Sequence, residues 1–413
     1  MTRKNLLSLF LLALVLVWSS TPSLHAQFKD DNEDDATAEA NDANANEDAN
    51  VDADSDDEDD DANDAGKGKH SKKHSKKGKA SKSGSKKSGS KSDSKTDSKS
   101  SSKIGSKKSD ASKSASELKV PLGESMKLYW ECGFNIQATG GDCGGISITQ
   151  PIPTEWPEQK VRIVKEDVSP YVKIGREKNL GGATILPMTI SSLPKGEKGD
   201  AILRFEIESF AQEKPKNVEK LVRPEGKQIS KEMRESLKAG HSIESNDKAI
   251  TKLAREIGTD EDCVWNEIKA VYDWVRKEVK YQNGPLKGAV KALHDKTADS
   301  GDLVNLFIAI CRAKKIPART VFVPEHAYAE FYLVDDTGAG RWFPCQVAGD
   351  EAFGEMPTQY IILQKGENFK SLATKGKIYR MLPQEIKGKA SRSGGGQPSY
   401  TEIHRKVENV DDE

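Results

Sequence analysis

The apolar stretch Leu303 to Cys311 opens at the polar string Asp299-Ser300-Gly301-Asp302, and the next histidine, His326, follows in strand-like surroundings. A helix beginning at that string turns the positive end of its dipole toward its first turn and favours an ionised nucleophile placed there. An imidazole on a neighbouring strand takes the nucleophile's proton, and a third polar group fixes the imidazole tautomer. His326 supplies the imidazole, and the third position falls just after Trp342. Five cysteines are present, an odd number, so at least one thiol stays free unless chains cross-link. Cys132 and Cys143 flank a Gly-rich loop and are candidates for a pair, whereas Cys311 sits in the apolar stretch as filler. Neither C-x-x-C nor H-E-x-x-H occurs, so no structural zinc and no cofactor are expected.

Elements must hold these residues in place. Val264, Trp265, Ile268, Val271, Tyr272, Val275 and Val279 recur at helical spacing and mark one apolar face of an amphipathic helix. Leu303 to Cys311 is apolar nearly all round, which predicts a second helix enclosed by other elements and stopped by Pro317. Thr320 to Val323, Ala329 to Val334 and Trp342 to Cys345 read as consecutive strands, the last two joined by the turn Asp335-Asp336-Thr337-Gly338. Helices followed by an antiparallel sheet make this segment α+β. Earlier, short apolar runs between Lys127 and Ile207, separated by Gly and Pro, predict a small β-sandwich. The stretch Lys365 to Phe369 reads as loop, and beyond Arg380 the polar chain is expected to fray.

The near-zero net charge of −1 hides opposite blocks. A basic start, an apolar run from Leu6 to Trp18 and small residues before Ala26 describe a secretory signal peptide, too short for the ~20 residues of a membrane span. Gln27 to Ala65 is Asp, Glu, Asn and Ala; the chain then turns to Lys and Ser up to Ala115. Neither block carries apolar residues enough to fold alone. The Lys/Ser block is expected to touch anionic surfaces weakly, with the acidic block screening it, and no specific nucleic-acid binding is implied.

The strings Val271-Tyr272-Asp273-Trp274-Val275, Asp299-Ser300, Cys311-Arg312-Ala313 with Ile316-Pro317-Ala318-Arg319, His326-Ala327-Tyr328 and Trp342-Phe343-Pro344 together resemble the transglutaminase-like core, related in fold to papain-type thiol proteases. The resemblance covers about 245 to 350 and suits an extracytoplasmic, bacterial-type member with a β-domain ahead of the core. It implies a nucleophilic Cys at a position that is Ser300 here, a catalytic His at His326, and an Asp where Gln346 stands. Serine needs its proton removed during attack, and the Gln346 amide brings no charge to stabilise an imidazolium. Ser300 or Asp299 can instead simply cap the helix, Asp299-x-x-Asp302 being like a capping box. Cys345 is a candidate displaced nucleophile, although strand alternation turns it away from His326 if Gln346 faces it.

The expected organisation is a signal peptide over 1–26, an acidic disordered segment over 27–65, a Lys/Ser-rich one over 66–117, a β-sandwich-like domain over 118–212, a connection over 213–244, a transglutaminase-like domain over 245–385 and a disordered end over 386–413. Three functions compete. The first is an exported or cell-surface protein, catalytically impaired, that binds a peptide, protein or cell-wall polymer. The second is an active amide hydrolase or acyl transferase using Ser300 and His326, and the third a structural surface protein acting through its charged tail.

Overall fold

The computed structural model describes residues 117–390 and 398–409. The expected signal peptide, the acidic segment and the Lys/Ser-rich segment up to residue 116 lie outside the described residues, as do 391–397 and 410–413.

Strands β1 (Leu122–Gln137), β2 (Cys143–Ile152), β3 (Gln159–Val168), β4 (Val172–Ile174), β5 (Lys178–Asn179), β6 (Thr184–Leu193) and β7 (Ala201–Gln212) come first. Their apolar residues alternate, as a sheet with one buried face requires. Leu128, Trp130, Cys132, Phe134 and Ile136 point inward from β1, and Ala201, Leu203, Phe205 and Ile207 from β7. Facing them, Ile146, Ile148 and Ile152 of β2 and Leu186, Met188 and Ile190 of β6 complete one shared core between two sheets. Cys132 and Cys143 lie on strands of different sheets, both buried, and no disulfide joins them.

The chain's end corrects one expectation. β17 (Glu385–Ala390) pairs with β2, and β18 (Ser399–Val407) pairs with β1 along its whole length, from Tyr129 opposite Val407 to Gln137 opposite Ser399. The described part of 386–413 is therefore an edge strand on each sheet. An edge strand is held mainly by its backbone ladder and can be polar on its outer face, so its composition resembles that of a frayed tail. Arg405 of β18 also donates to the Glu131 carboxylate at 2.6 Å.

The second half is built around helices α1 (Lys231–Glu235), α2 (Lys248–Glu256), α3 (Val264–Glu278), α4 (Ala289–Asp295) and α5 (Ser300–Ala313). Two short strands, β8 (Lys280–Tyr281) and β9 (Thr297–Ala298), pair in parallel between them. α3 buries Trp265, Ile268, Val271, Tyr272 and Val275, whereas α5 is buried at every residue from Gly301 to Arg312. That difference follows from composition: a one-sided apolar stripe lies on a core, and an all-round one lies inside it. α5 packs on an antiparallel sheet of β10 (Ala318–Val323), β11 (His326–Val334), β12 (Gly340–Gln346), β13 (Ala352–Phe353) and β14 (Gln364–Lys365). Trp265 is set edge-on against Phe331, Phe343 and Phe353 at centroid distances of 5.6, 5.3 and 5.1 Å. A last hairpin, β15 (Phe369–Lys370) and β16 (Ile378–Tyr379), precedes β17.

The stretch 213–244 does more than connect. Leu221 and Ile243 enter the helical core, and Val222 exchanges backbone hydrogen bonds with Val334 at 2.8 and 3.0 Å. Lys365 is likewise not a loop residue without a role. Its buried ammonium contacts Glu330 at 2.6 Å and Glu158, while Arg319 donates to Glu330 at 2.8 Å. This four-residue cluster joins the segment before β3 to the central sheet.

Candidate active site

α5 begins where the sequence places it. Asp299 is the N-cap, its side chain accepting the Asp302 backbone N–H at 2.7 Å, and Ser300 is the first helical residue, half-buried. Asp302 does not return a hydrogen bond to close a capping box. Its fully buried carboxylate accepts the backbone N–H groups of Lys287 at 2.8 Å and Gly288 at 2.9 Å, and the Asn305 amide at 3.2 Å. Burial pushes both carboxyls above the usual range, partly offset by those backbone donors. Asp299, not Ser300, is thus the cap, and two acids flank the position where a nucleophile would stand.

His326 opens β11 directly after the two-residue turn Pro324-Glu325, in which Glu325 has φ +58°. Pro suits the first turn position, and the second demands a left-handed residue, which costs a non-glycine about 1 kcal/mol. The turn sets where the imidazole starts. Across the sheet, Gln346 ends β12, and its Oε1 lies 3.2 Å from His326 Nε2. Gln346 Nε2 donates to the Tyr360 hydroxyl at 3.2 Å, so the amide oxygen is the end that faces the imidazole. An amide oxygen only accepts, so Nε2 carries the ring proton and Nδ1 keeps its lone pair. Burial holds the His326 pKa below its ordinary value, with the Gln346 hydrogen bond opposing, which leaves the ring neutral at pH 7.

The structure brings His326 and Gln346 together, and α5, which carries Ser300, packs against the strand that His326 begins. Among the described residues no hydrogen bond joins Ser300 to His326. Cys345 faces the opposite way, wholly buried in the core that also holds Cys311, and burial pushes both thiols far up. Neither is available as a thiolate.

Several supporting residues had no sequence signal. Arg276 of α3 donates to the backbone carbonyls of Gln346 and Val347, each at 3.1 Å, and of Gly349 at 2.9 Å, bracing the end of β12. Arg380 donates to Asn305 at 3.1 Å and lies over Phe322, its guanidinium beside Gly301 in the first turn of α5. Pro324, Glu325, Tyr360 and Arg380 line a cleft of about 1680 Å³ together with Trp130 and Tyr400 of the sandwich; Ser300, His326 and Gln346 are not among its lining residues. Only the tertiary fold brings such distant residues together. Among the described residues no group of acidic, His or Cys side chains is arranged to hold a metal, and no helix is long and apolar enough to cross a membrane.

Residues 251–347 match the transglutaminase-like superfamily. The matched segment contains Ser300, His326 and Gln346. Among solved structures, the chain is similar to a candidate cysteine protease from Cytophaga hutchinsonii at 15% identity and TM-score 0.44, covering 70% of this chain and 93% of that one. It is also similar to a candidate protease from Parabacteroides distasonis at 11% identity and TM-score 0.23, covering 54% and 47%. No curated protein matches the chain.

Proposed function

We propose that this is an exported transglutaminase-like protein with an impaired catalytic site, whose cleft binds an extended peptide or a wall polymer. The observation that carries the reading is that His326 has an uncharged orienting partner, Gln346, while the helix start packed on its strand carries serine and the thiols of Cys311 and Cys345 are buried. Asp299 and Asp302 oppose an anionic nucleophile or oxyanion at the same helix start. The cleft exceeds the roughly 300–1,000 Å³ of small-molecule pockets and suits a polymer segment better.

A second reading is favoured by the imidazole geometry. With Nε2–H on Gln346, Nδ1 is free to accept the Ser300 proton as Ser300 Oγ bonds to an amide carbonyl carbon. The proton then passes to the departing amine, and water or another amine releases the acyl group. A neutral amide as third member is sufficient in Cys-His-Asn proteases.

Labelling of the full exported chain with a serine-directed fluorophosphonate, followed by mapping, separates the two. No adduct on a folded protein, together with saturable binding of unstructured peptides or isolated wall polymer, supports the binding reading. An adduct on Ser300 decides for the enzyme.

A further inference from the structure

His326 and Gln346 meet, yet no strand pairing sets the distance between them. β10 pairs with β11 up to Val323 opposite His326, so the imidazole is fixed by β10 and its turn. The β11–β12 ladder stops short of it, at Ala329 opposite Cys345, and Gln346 is the next residue of β12. There the strand pairs with the two-residue β13 instead, Gln346 lying opposite Ala352. A ladder that short fixes little by itself.

Further support for this end of the sheet comes from α3. The Arg276 guanidinium donates through one nitrogen to the carbonyls of Gln346 and Val347, each at 3.1 Å, and through another to that of Gly349 at 2.9 Å. One helical turn earlier the buried Tyr272 hydroxyl accepts the Ala352 N–H at 3.1 Å, and the guanidinium lies over the Tyr272 ring, 5.4 Å from its centroid. Four residues apart, the two side chains share one face of the helix. The turn they hold passes close to the amide: a Cβ on Gly349, whose φ is +83°, would lie 3.8 Å from Gln346 Nε2.

We infer that Arg276 is a positioning residue, which sets the Gln346 amide against His326 from helix α3. A guanidinium only donates and a carbonyl only accepts, so the direction of all three bonds is fixed. Its planar fork serves several oxygens at once, where a lysine ammonium acts as a point charge. Without Arg276 the backbone of residues 346–349 loses three hydrogen bonds, and with them the support that keeps the amide oxygen 3.2 Å from Nε2. Among the described residues no hydrogen bond joins Arg276 to His326, so its effect passes through Gln346.

The inference rests on reading His326 and Gln346 as the pair of the site, and its experiment reads that pair rather than a ligand. The measurement is NMR titration of the His326 imidazole in the full exported chain. The Gln346 hydrogen bond raises the His326 pKa against the effect of burial. Gln346→Leu, which keeps the bulk and removes the acceptor, should therefore lower it. In an Arg276→Gln background the same substitution should shift the pKa by less than half as much, because the contact is already loosened. Arg276→Lys, which keeps the charge but not the fork, should fall between, and it carries the comparison should Arg276→Gln fail to fold. Lys277→Gln removes an equal charge from a side chain 83% exposed in the same turn and should leave the Gln346→Leu shift at full size. A Gln346→Leu shift that is absent in the wild type, or equal with and without Arg276, overturns the positioning role and leaves the binding proposal standing. A shift reduced as expected, in a protein that binds neither peptide nor wall polymer, upholds the positioning role and overturns the binding proposal alone.

Discussion

The Asp299 carboxylate accepts the Asp302 backbone N–H at 2.7 Å, which places a negative charge on the helix turn where Ser300 stands. A nucleophile at a helix start is stabilised as an anion by free N–H groups and the helix dipole. Here a resident acid already uses part of that capacity. The cap secures α5 at a cost to any nucleophile beside it.

Ser300→Cys is accordingly expected to create a thiol that is only moderately activated. Its thiolate should form below the ordinary ~8.5, and its pKa should rise when His326→Ala is added, because the imidazole is then gone. Asp299→Asn keeps a good capping side chain while removing the charge, so it should lower the thiol pKa further. Iodoacetamide alkylation rate against pH reads all three. Identical pKa values with and without His326 would mean that residues 300 and 326 do not meet.

Gln346→Asp should raise the pKa of His326 by about one to three units, since a carboxylate on Nε2–H favours imidazolium. In the wild type, the His326 pKa is depressed by burial, below an unfolded value of about 6.5. The unfolded chain therefore binds more protons as pH falls through and below 6.5, and this residue's contribution to stability is lost in that direction. Gln346→Asp reverses the sign for His326, whose folded pKa then exceeds the unfolded one and adds stability below 6.5. NMR titration of the imidazole, with urea unfolding at pH 5.5 and 7.5, checks both statements.

How much of this was legible depended on the period and length of each signal. α3 and α5 could be read because each carries enough apolar residues to show a stripe or a full surround, and Pro317 marks the end of the second. β10, β11 and β12 could be read because their apolar runs are separated by turn chemistry, Asp335 accepting from Thr337 and Ala339 within the predicted turn. His326 and Gln346 were singled out through the resemblance to the transglutaminase-like core, whose His and Asp positions they occupy. β18 could not be read, because most of its side chains are exposed and what defines it is a ladder to β1, some 270 residues away by the Arg405–Glu131 separation. The Tyr360–Gln346 hydrogen bond was hidden for the same reason, since Ser209 and Gln159, which bond to the loop carrying Tyr360, come near it only in the tertiary fold.

Ending the chain after residue 397 should remove β18 and leave the β1 edge unpaired along nine residue pairs, from Tyr129 to Gln137. Glu131 would lose Arg405 while keeping its buried partner Arg204. The truncated protein should unfold at lower urea and associate through the bared edge, an outcome visible as concentration-dependent mass in light scattering. A monomer of unchanged stability would show that the ladder contributes nothing.

Asp302→Ala should cost about 2–4 kcal/mol, because the backbone N–H groups of Lys287 and Gly288 and the Asn305 amide would lose their shared acceptor in a buried place. Asp302→Asn should cost less, as it keeps one acceptor oxygen. Urea unfolding ranks the two, and equal losses would mean that the charge matters more than the acceptor.

Lys365→Met tests the cluster that joins the two halves of the molecule. The ammonium contacts both Glu330 and Glu158, all three side chains being at most 5% exposed, and Arg319 reaches only Glu330. Removing the lysine strands Glu158 without its cation partner and leaves Glu330 with Arg319, a loss of about 3–5 kcal/mol for an uncompensated buried charge. If that reasoning holds, Lys365→Met with Glu158→Leu should recover most of the loss, since replacing both members of a buried pair by apolar groups is close to neutral. Depression of the Glu330 pKa by Lys365 and Arg319 adds a pH signature. Its stabilising contribution is present above the unfolded carboxyl value of about 4.3 and is lost as pH falls through the folded one, and it should shrink in Lys365→Met. Stability measured from pH 3 to 7 for the single and double variants separates charge from packing: a double variant as unstable as the single would place the loss in the methylenes of Lys365, packed near Trp156, rather than in its charge.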